Sequence, residues 1–373
     1  MGVKKLEEAI NFQKDKPLLK YTLILLIDIV EKMKDSLNIG IAGATGYVGL
    51  ELIKILSNHS KVKIIYLFAK RSVGKKINTF DKKIIKKSLP RISKLENIDW
   101  NKIDLLFTAL PNGEAHKIAR IMPSGIKLID LSADFRLDDF KDYKKWYGIN
   151  HKCKNLIKHS LYSITEFSRN RLSNCKIISC PGCYPTSIQL PLIPLLLKKM
   201  INVKNIIIDS KSGYSGAGKK IKSKFKFKNL FNSVSAYGVG SHRHMPEIDQ
   251  ELSKVSKKKI KVFFTPHLIP MFKGILSTIY VETKGNNDAK KIYNYLKDYH
   301  RKNFFVKIAK FNIPIGTGAV INTNFCNISV CKSRKKNHVI IISTIDNLIK
   351  GASGQAVQNM NVAYNFNEKI GLV

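Results

Sequence analysis

A chain of 373 residues, 44% hydrophobic and 9% aromatic, is long enough for two cores and too apolar to be disordered. Its formal charge of +38 comes mostly from lysine spread over the whole length, which argues against the arginine-rich stripe of a nucleic-acid binder and suits attraction of acidic, phosphorylated substrates. Six cysteines without regular spacing exclude a disulfide framework, and the longest apolar run, "LLKYTLILLIDIV", is too short for a membrane span and is broken by Lys20 and Asp28.

In chain order, residues 1–37 alternate charged and apolar residues at helical spacing and read as an extension of unknown role. Met33 is an alternative start, since "MKDSLNIGIAGATG" reads as the opening of a nucleotide-binding domain. From Asn38 the pattern becomes strand ("NIGIAG"), glycine turn, helix ("YVGLELIKILSNH") and buried strand ("VKIIYLFA"). Further strands are expected at "IDLLFTAL" and "GIKLIDLS". Strands alternating with helices predict an α/β fold with a Rossmann-type, doubly wound parallel sheet over residues 38–182. Past Cys183 the segments lengthen, with strands at "VKNIIIDSKS", "KVFFTPHLIP" and "GILSTIYVET"; this predicts an α+β domain over 183–345, followed by a glycine-punctuated helix within 346–373. The basic and aromatic residues interleaved over Lys219–Phe231 suit a solvated lysine-rich segment better than an RNA or membrane contact.

The turn "GATGYVG" places Gly43, Gly46 and Gly49 directly after a strand and at the opening of a helix, where backbone N–H groups and the helix dipole hold a pyrophosphate. An NAD site would end its second strand in Asp or Glu; here that strand ends in Lys70, Arg71 and Ser72, a cationic fork and a hydroxyl suited to the 2′-phosphate of NADP.

"SCPGCYPTS" holds Cys180 and Cys183. A zinc reading needs two more soft ligands, and Cys153, Cys175, Cys326 and Cys331 are neither paired as C-x-x-C nor near a histidine cluster, so no metal is expected. Cys180 reads as a buried structural thiol. Cys183 follows a Pro-Gly turn and opens a long apolar helix, where the positive end of the dipole would lower its pKa, an address for a nucleophile. "GSHRHMPEI" offers His242 and His244 as acid/base partners, with Glu247 three residues on, and "TPHLIPM" offers His267 as a third candidate.

These residues resemble the N-acetyl-gamma-glutamyl-phosphate reductase family, relatives of aspartate-semialdehyde dehydrogenase. The matching segments are "GIAGATGYVGLEL", "TALPNGEA", "LIDLSADFRL", "CPGCYPT", "SKSGYSGAGK", "YGVGSHRHMPEI", "FTPHLIPMFKGI" and "DNLIKGASGQAVQNMN", in family order over residues 38–373. The resemblance implies reduction of N-acetyl-glutamyl 5-phosphate by NADPH, with Cys183 attacking the acyl phosphate to form a thioester. It implies His244 as acid/base and His242 as a substrate contact, although their spacing alone does not separate the two roles. Thr45, Tyr47 and Val48 would join the three glycines at the cofactor, with Gly216, Gly218, Asn347 and Gly351 also facing it; Ser215, Arg243 and Glu247 would meet the substrate. The second domain would be catalytic and dimerising, the last helix would return to the first domain, and a homo-oligomeric, cytoplasmic enzyme with neither nucleic-acid nor membrane partners is implied. Departures are Cys180 where the family has Asn, "YSITE" (Tyr162–Glu166) for "YGLPE", and Lys273 for a common Arg. They leave open a carrier-bound aminoadipyl phosphate substrate and a Cys180–Cys183 redox switch.

Overall fold

The computed structural model describes residues 36–86, 88–218 and 232–373. The expectations for nearly all of the N-terminal extension and for the basic–aromatic stretch Lys219–Phe231 therefore lie outside the described residues.

Seven strands, β1 (Leu37–Ala42), β2 (Val62–Phe68), β3 (Ile92–Ser93), β4 (Leu105–Thr108), β5 (Lys127–Asp130), β6 (Ser160–Tyr162) and β7 (Ile177–Ser179), form one sheet. All its pairings are parallel, in the order β3-β2-β1-β4-β5-β7-β6. Consecutive residues Leu105, Leu106 and Phe107 are all 0% exposed, the mark of a strand covered on both faces. On one face the helix Tyr47–Ser57 contributes Leu50, Ile53 and Leu56, and the helix Gly354–Ala363 contributes Val357 and Met360. On the other, Ala115, Ile118 and Ala119 of the helix Ala115–Ile121 meet Leu106 and Leu128. Each such aliphatic side chain contributes about 1.5–3 kcal/mol when fully buried. The strand order reverses at β1, so the crevice above the carboxyl ends of β1 and β4 is where a ligand is expected.

The second sheet joins β8 (Ile207–Gly213), β9 (Ser235–Ala236), β10 (Phe263–Ile269), β11 (Ile275–Glu282), β12 (Val306–Ile308), β13 (Cys326–Lys332) and β14 (His338–Ile345) in the order β12-β13-β14-β11-β8-β10-β9. It is mixed: β8–β10 and β12–β13 are parallel and the other pairs antiparallel. The strands β12, β13 and β14 go beyond those expected from the sequence. Helices Cys183–Leu197, Met245–Ser256 and Ala289–Tyr299 cover one face, supplying Ile188, Leu192, Ile248, Leu252, Ile292 and Leu296 to the core. The helix Cys183–Leu197 is buried almost all round, so its uniformly apolar sequence needs no polar face. Among the described residues no helix covers the opposite face of the sheet. There Phe263, Ile207 and Tyr280 stand in register on β10, β8 and β11, 62%, 46% and 40% exposed.

The chain passes from the first sheet to the second through residues 180–183, and Gly354–Ala363 returns to the first core. The Cys183 turn, the glycine turn and the segment Ile345–Gly354 therefore meet at the seam.

Candidate active site

The glycine turn is shaped by two glycines and left open by the third. Gly43 sits at φ +88°, and a Cβ there would lie 2.2 Å from the Ala109 carbonyl oxygen; a Cβ on Gly49 would lie 2.2 Å from the Gly43 oxygen. Those two positions are required by the chain's own packing. At Gly46 an added Cβ meets only the Gly43 oxygen, at 3.4 Å, so nothing in the chain demands glycine there. Gly46 is also the N-cap of the helix Tyr47–Ser57, with no side chain capping it. An uncapped helix start with a bare Cα suits close approach of a pyrophosphate. Thr45, Tyr47 and Val48 belong to the same turn and helix start, and the Tyr47 ring meets Phe272 of the second domain edge-on at 5.4 Å. Beside the turn, Gly43, Phe68, Lys70, Asn97 and Leu110 line a cavity of about 730 Å³ that would take the adenosine end of a dinucleotide.

At the rim of that cavity Lys70 pairs with Glu114 at 3.0 Å. Arg71 is exposed and has no carboxylate partner among the described residues, and Ser72 takes φ +74°. Arg71 is thus the uncommitted cation at the strand end.

The cysteine turn is closed where the glycine turn is open. Gly182 is the N-cap before Cys183, again without a side-chain cap, but its N–H donates to Glu247 Oε1 at 2.7 Å. The same carboxylate oxygen accepts from the Tyr162 hydroxyl at 2.8 Å, and Oε2 pairs with Arg136 Nη1 at 3.4 Å. Arg136 further donates from Nε to the Cys180 carbonyl at 2.8 Å and from Nη2 to the Leu131 carbonyl at 2.9 Å. Glu247, expected at the substrate, is 0% exposed and stands behind the turn as its anchor. Arg136 and Tyr162 hold that anchor; Arg136 lies in a segment that matched the family and Tyr162 in one that departed from it, and nothing local in the sequence pairs either with Glu247.

The thiol of Cys183 does not behave as the helix dipole alone suggests. Burial pushes it up to about 11, against the pull of Arg136 and of the backbone N–H groups of Tyr184 and Cys183. Desolvation wins although Cys183 is only half-buried, because the second domain and the Gly351 segment pack around it. Cys180 faces the other way: it is 0% exposed, belongs to the core of the first sheet and lies 3.7 Å from Asn359 Nδ2, whereas Cys183 packs against the core of the second sheet. Burial holds the Cys180 thiol up at about 12. The geometry gives no support to a Cys180–Cys183 switch.

His244 lies against the nucleophile's turn. A Cβ on Gly182 would fall 2.4 Å from His244 Nε2, so glycine is what admits the imidazole. Burial, with His242, Arg136 and Arg243 nearby, holds His244 well below the usual histidine range, and its Nδ1 is buried without a partner among the described residues. His242 is seated among the rings of Tyr184, Tyr237 and Phe264 and accepts the His244 backbone N–H on Nδ1 at 3.1 Å. That bond places the proton of the neutral ring on Nε2, and burial brings its pKa down to about 4. Arg243 between them is exposed and without a carboxylate partner among the described residues, free to meet an anionic substrate. His267 instead pairs with Asp209 at 3.1 Å on the open face of the second sheet.

Asn347 ties the remaining elements together: Nδ2 donates to Ser215 Oγ at 2.9 Å, and Oδ1 accepts from the Gly274 N–H at 2.7 Å. Gly216 lies close to Asn347, while Gly218, at φ +79°, has open space beside it. Ser215 is buried, its hydroxyl occupied by Asn347. Gly351 packs against Cys183 itself: a Cβ there would lie 2.7 Å from the Cβ of Cys183. Behind it Lys350 and Glu166, both 0% exposed, form an ion pair at 2.7 Å inside a π-helical turn, Ile349–Ser353, with Gln358 bonded to both. Lys273 links the domains, pairing with Glu51 at 3.0 Å. No group of three or more His, Cys, Asp or Glu side chains among the described residues could hold a metal ion.

Two family descriptions match the chain: "Semialdehyde dehydrogenase, NAD binding domain" over residues 38–175 and "Semialdehyde dehydrogenase, dimerisation domain" over 183–347. Among solved structures, aspartate semialdehyde dehydrogenase II from Vibrio cholerae is similar over 88% of this chain and 98% of its own, with TM-score 0.66 and 19% identity. Aspartate semialdehyde dehydrogenase with NADP from Candida albicans is similar over 88% and 99%, with TM-score 0.66 and 16% identity. At these identities the likeness is one of fold. Fold and family descriptions define the class as that of the semialdehyde dehydrogenases. Curated relatives narrow it: the N-acetyl-gamma-glutamyl-phosphate reductase of Thermoanaerobacter pseudethanolicus is 44% identical over 90% of this chain and 97% of its own. A probable chloroplastic N-acetyl-gamma-glutamyl-phosphate reductase of Oryza sativa is 40% identical over 91% of this chain and 82% of its own. The chain belongs to the N-acetyl-gamma-glutamyl-phosphate reductase family.

Proposed function

We propose that this protein reduces N-acetyl-L-glutamyl 5-phosphate to N-acetyl-L-glutamate 5-semialdehyde and phosphate, with NADPH, as a step of arginine biosynthesis. The observation that carries the mechanism is the placement of the His244 imidazole over Gly182, beside Cys183. His244 is neutral and able to take the thiol proton. The resulting thiolate attacks the acyl carbon, the C–O bond to phosphate breaks, and His244 returns the proton to the departing phosphate, leaving a thioester on Cys183. When bound, NADPH supplies the hydride that reduces this thioester. The thiohemiacetal on Cys183 then collapses, expelling the thiolate and releasing the aldehyde. Arg243 is placed to meet the charge of the substrate, and Glu247, through Gly182 and Arg136, holds the turn in position.

NADP is favoured over NAD by Arg71 and Ser72 at the end of β2: the strand end itself carries no acidic residue, and Glu114 at the same rim is taken by Lys70. The residues that would hold it are Gly46 at the helix start, the cavity beside Gly43, and the loop of Gly216 and Gly218. We read the enzyme as a homodimer built on the open face of the second sheet, where Phe263, Ile207 and Tyr280 stand unpartnered in one row. Six free thiols and the absence, among the described residues, of a helix long and apolar enough to cross a membrane accord with a cytoplasmic setting.

The test is the reverse reaction. NADP with N-acetyl-glutamate 5-semialdehyde should give NADPH only when phosphate is present, and Cys183→Ser should lose at least about a thousandfold in rate. Turnover without phosphate, or full activity in the variant, would overturn the proposal.

A further inference from the structure

A second cavity of about 730 Å³ opens between the end of the helix Ala289–Tyr299, the segment 300–308 and the chain at Glu368 and Lys369. Five cations line it: Lys297, Arg301, Lys302, Lys307 and Lys369. Lys297, Arg301 and Lys302 follow from their address, since a helix carboxyl end favours positive charge. Lys307 and Lys369 do not; they come from other elements and converge on one ring, their ammonium groups 4.9 and 3.7 Å from the centroid of Phe304. Like charges gathered on one ring repel, and neither ammonium group has a carboxylate partner among the described residues to offset it. None of the five forms an ion pair among the described residues, although elsewhere Lys54, Lys70 and Lys254 do find carboxylates. Of the two acids in the lining, Glu368 is taken by Arg169 at 2.6 Å and Asp298 is exposed.

The floor is built rather than loose. Asn303 is 8% exposed, bonded to His300 Nδ1 at 3.0 Å and to Arg169 Nη2 at 3.2 Å. Glu368 continues through Gln358, at 2.6 Å, to Lys350, the neighbour of the glycine packed on Cys183.

We propose that this cavity binds a small anion carrying two or more negative charges, of the phosphate-ester or polyphosphate class. Convergent, unpaired cations over a fixed polar floor give such an anion short charge-assisted bonds and remove the repulsion between Lys307 and Lys369. The proposal stands apart from the reaction proposed above.

Calorimetric titration of the whole protein with inorganic pyrophosphate, with NADP saturating the nucleotide site, tests it. One equivalent per chain should bind, and Lys307→Ser/Lys369→Ser should weaken it at least tenfold. Lys335→Ser/Lys336→Ser, which removes the same charge from another basic surface, should change it less than twofold. Equal weakening in both would mean a general basic field and overturn the site, as would pyrophosphate binding that neither pair alters. Arg301→Ser/Lys302→Ser, acting on exposed side chains, provides a second arm if the first variant fails to fold, and it should weaken binding likewise. Citrate in place of pyrophosphate decides the class: binding of equal strength would overturn the phosphate assignment.

Discussion

Two turns in this molecule share one design and differ in what lies over them. Each follows a parallel strand, ends in a glycine N-cap without a side-chain cap and opens a helix. Over Gly46 the chain places almost nothing; over Gly182 it places His244, while Glu247 takes the N–H. The open turn keeps its donors and its bare Cα for a ligand. The closed one spends its donor on a buried carboxylate, and what it gains is a fixed thiol beside a neutral imidazole. A helix N-terminus is thus only a potential; the layer that covers it decides between binding and chemistry.

The largest expected effect tests the closure directly. A thiol held up at about 11 is protonated at neutral pH, and its thiolate fraction grows tenfold per pH unit until that value is reached. Alkylation of Cys183 in the ligand-free protein should therefore rise about a thousandfold from pH 7 to pH 10. A plateau below pH 8 would show that the thiolate is formed before substrate arrives.

Next is Glu247→Ala, which strands the Arg136 charge in the interior and should cost about 3–5 kcal/mol, read by denaturant unfolding. A loss under about 1 kcal/mol would mean that water reaches Arg136. Gly182→Ala drives a methyl into His244, and a displacement of that size should lower kcat about a hundredfold. For Arg71→Ala, loss of a charge-assisted contact should raise the KM for NADPH roughly ten- to hundredfold and leave NADH unaffected. A parallel change for both cofactors would remove the 2′-phosphate assignment. Smallest is Gly46→Ala. Its φ of −75° suits alanine, which offsets the poorer fit of alanine at an N-cap, so stability should change by less than about 1 kcal/mol while binding of NADPH weakens. Unchanged cofactor affinity would leave the comparison between the two turns without support.

What the sequence made legible follows the range of the interactions involved. Strand periodicity, the glycine spacing and the Pro-Gly before Cys183 are local, so the parallel sheet and the position of both turns could be read directly. The pKa of Cys183 could not, because the dipole is a local property and desolvation is imposed by segments far along the chain, Gly351 among them. Glu247 is expected at the substrate only through the family resemblance; its burial depends on Arg136, 111 residues away. The Lys350–Glu166 pair, 184 residues apart, has no local signal at all. Strand β14, "HVIIISTI", is a continuous apolar run whose alternation of buried and half-buried residues emerges only once one face of its sheet is covered and the other is not.

The Gly351 contact also bears on synthesis. Cys183 leaves the ribosome well before the residues that close over it, and Val357 and Met360 then complete the core of the first sheet. Until the segment 345–363 has emerged and docked, the Cys183 turn lacks its Gly351 wall, and its thiol is more open to solvent and to other thiols. Protection of the thiol by a reductant would matter most during that interval, and less once the last helix has docked.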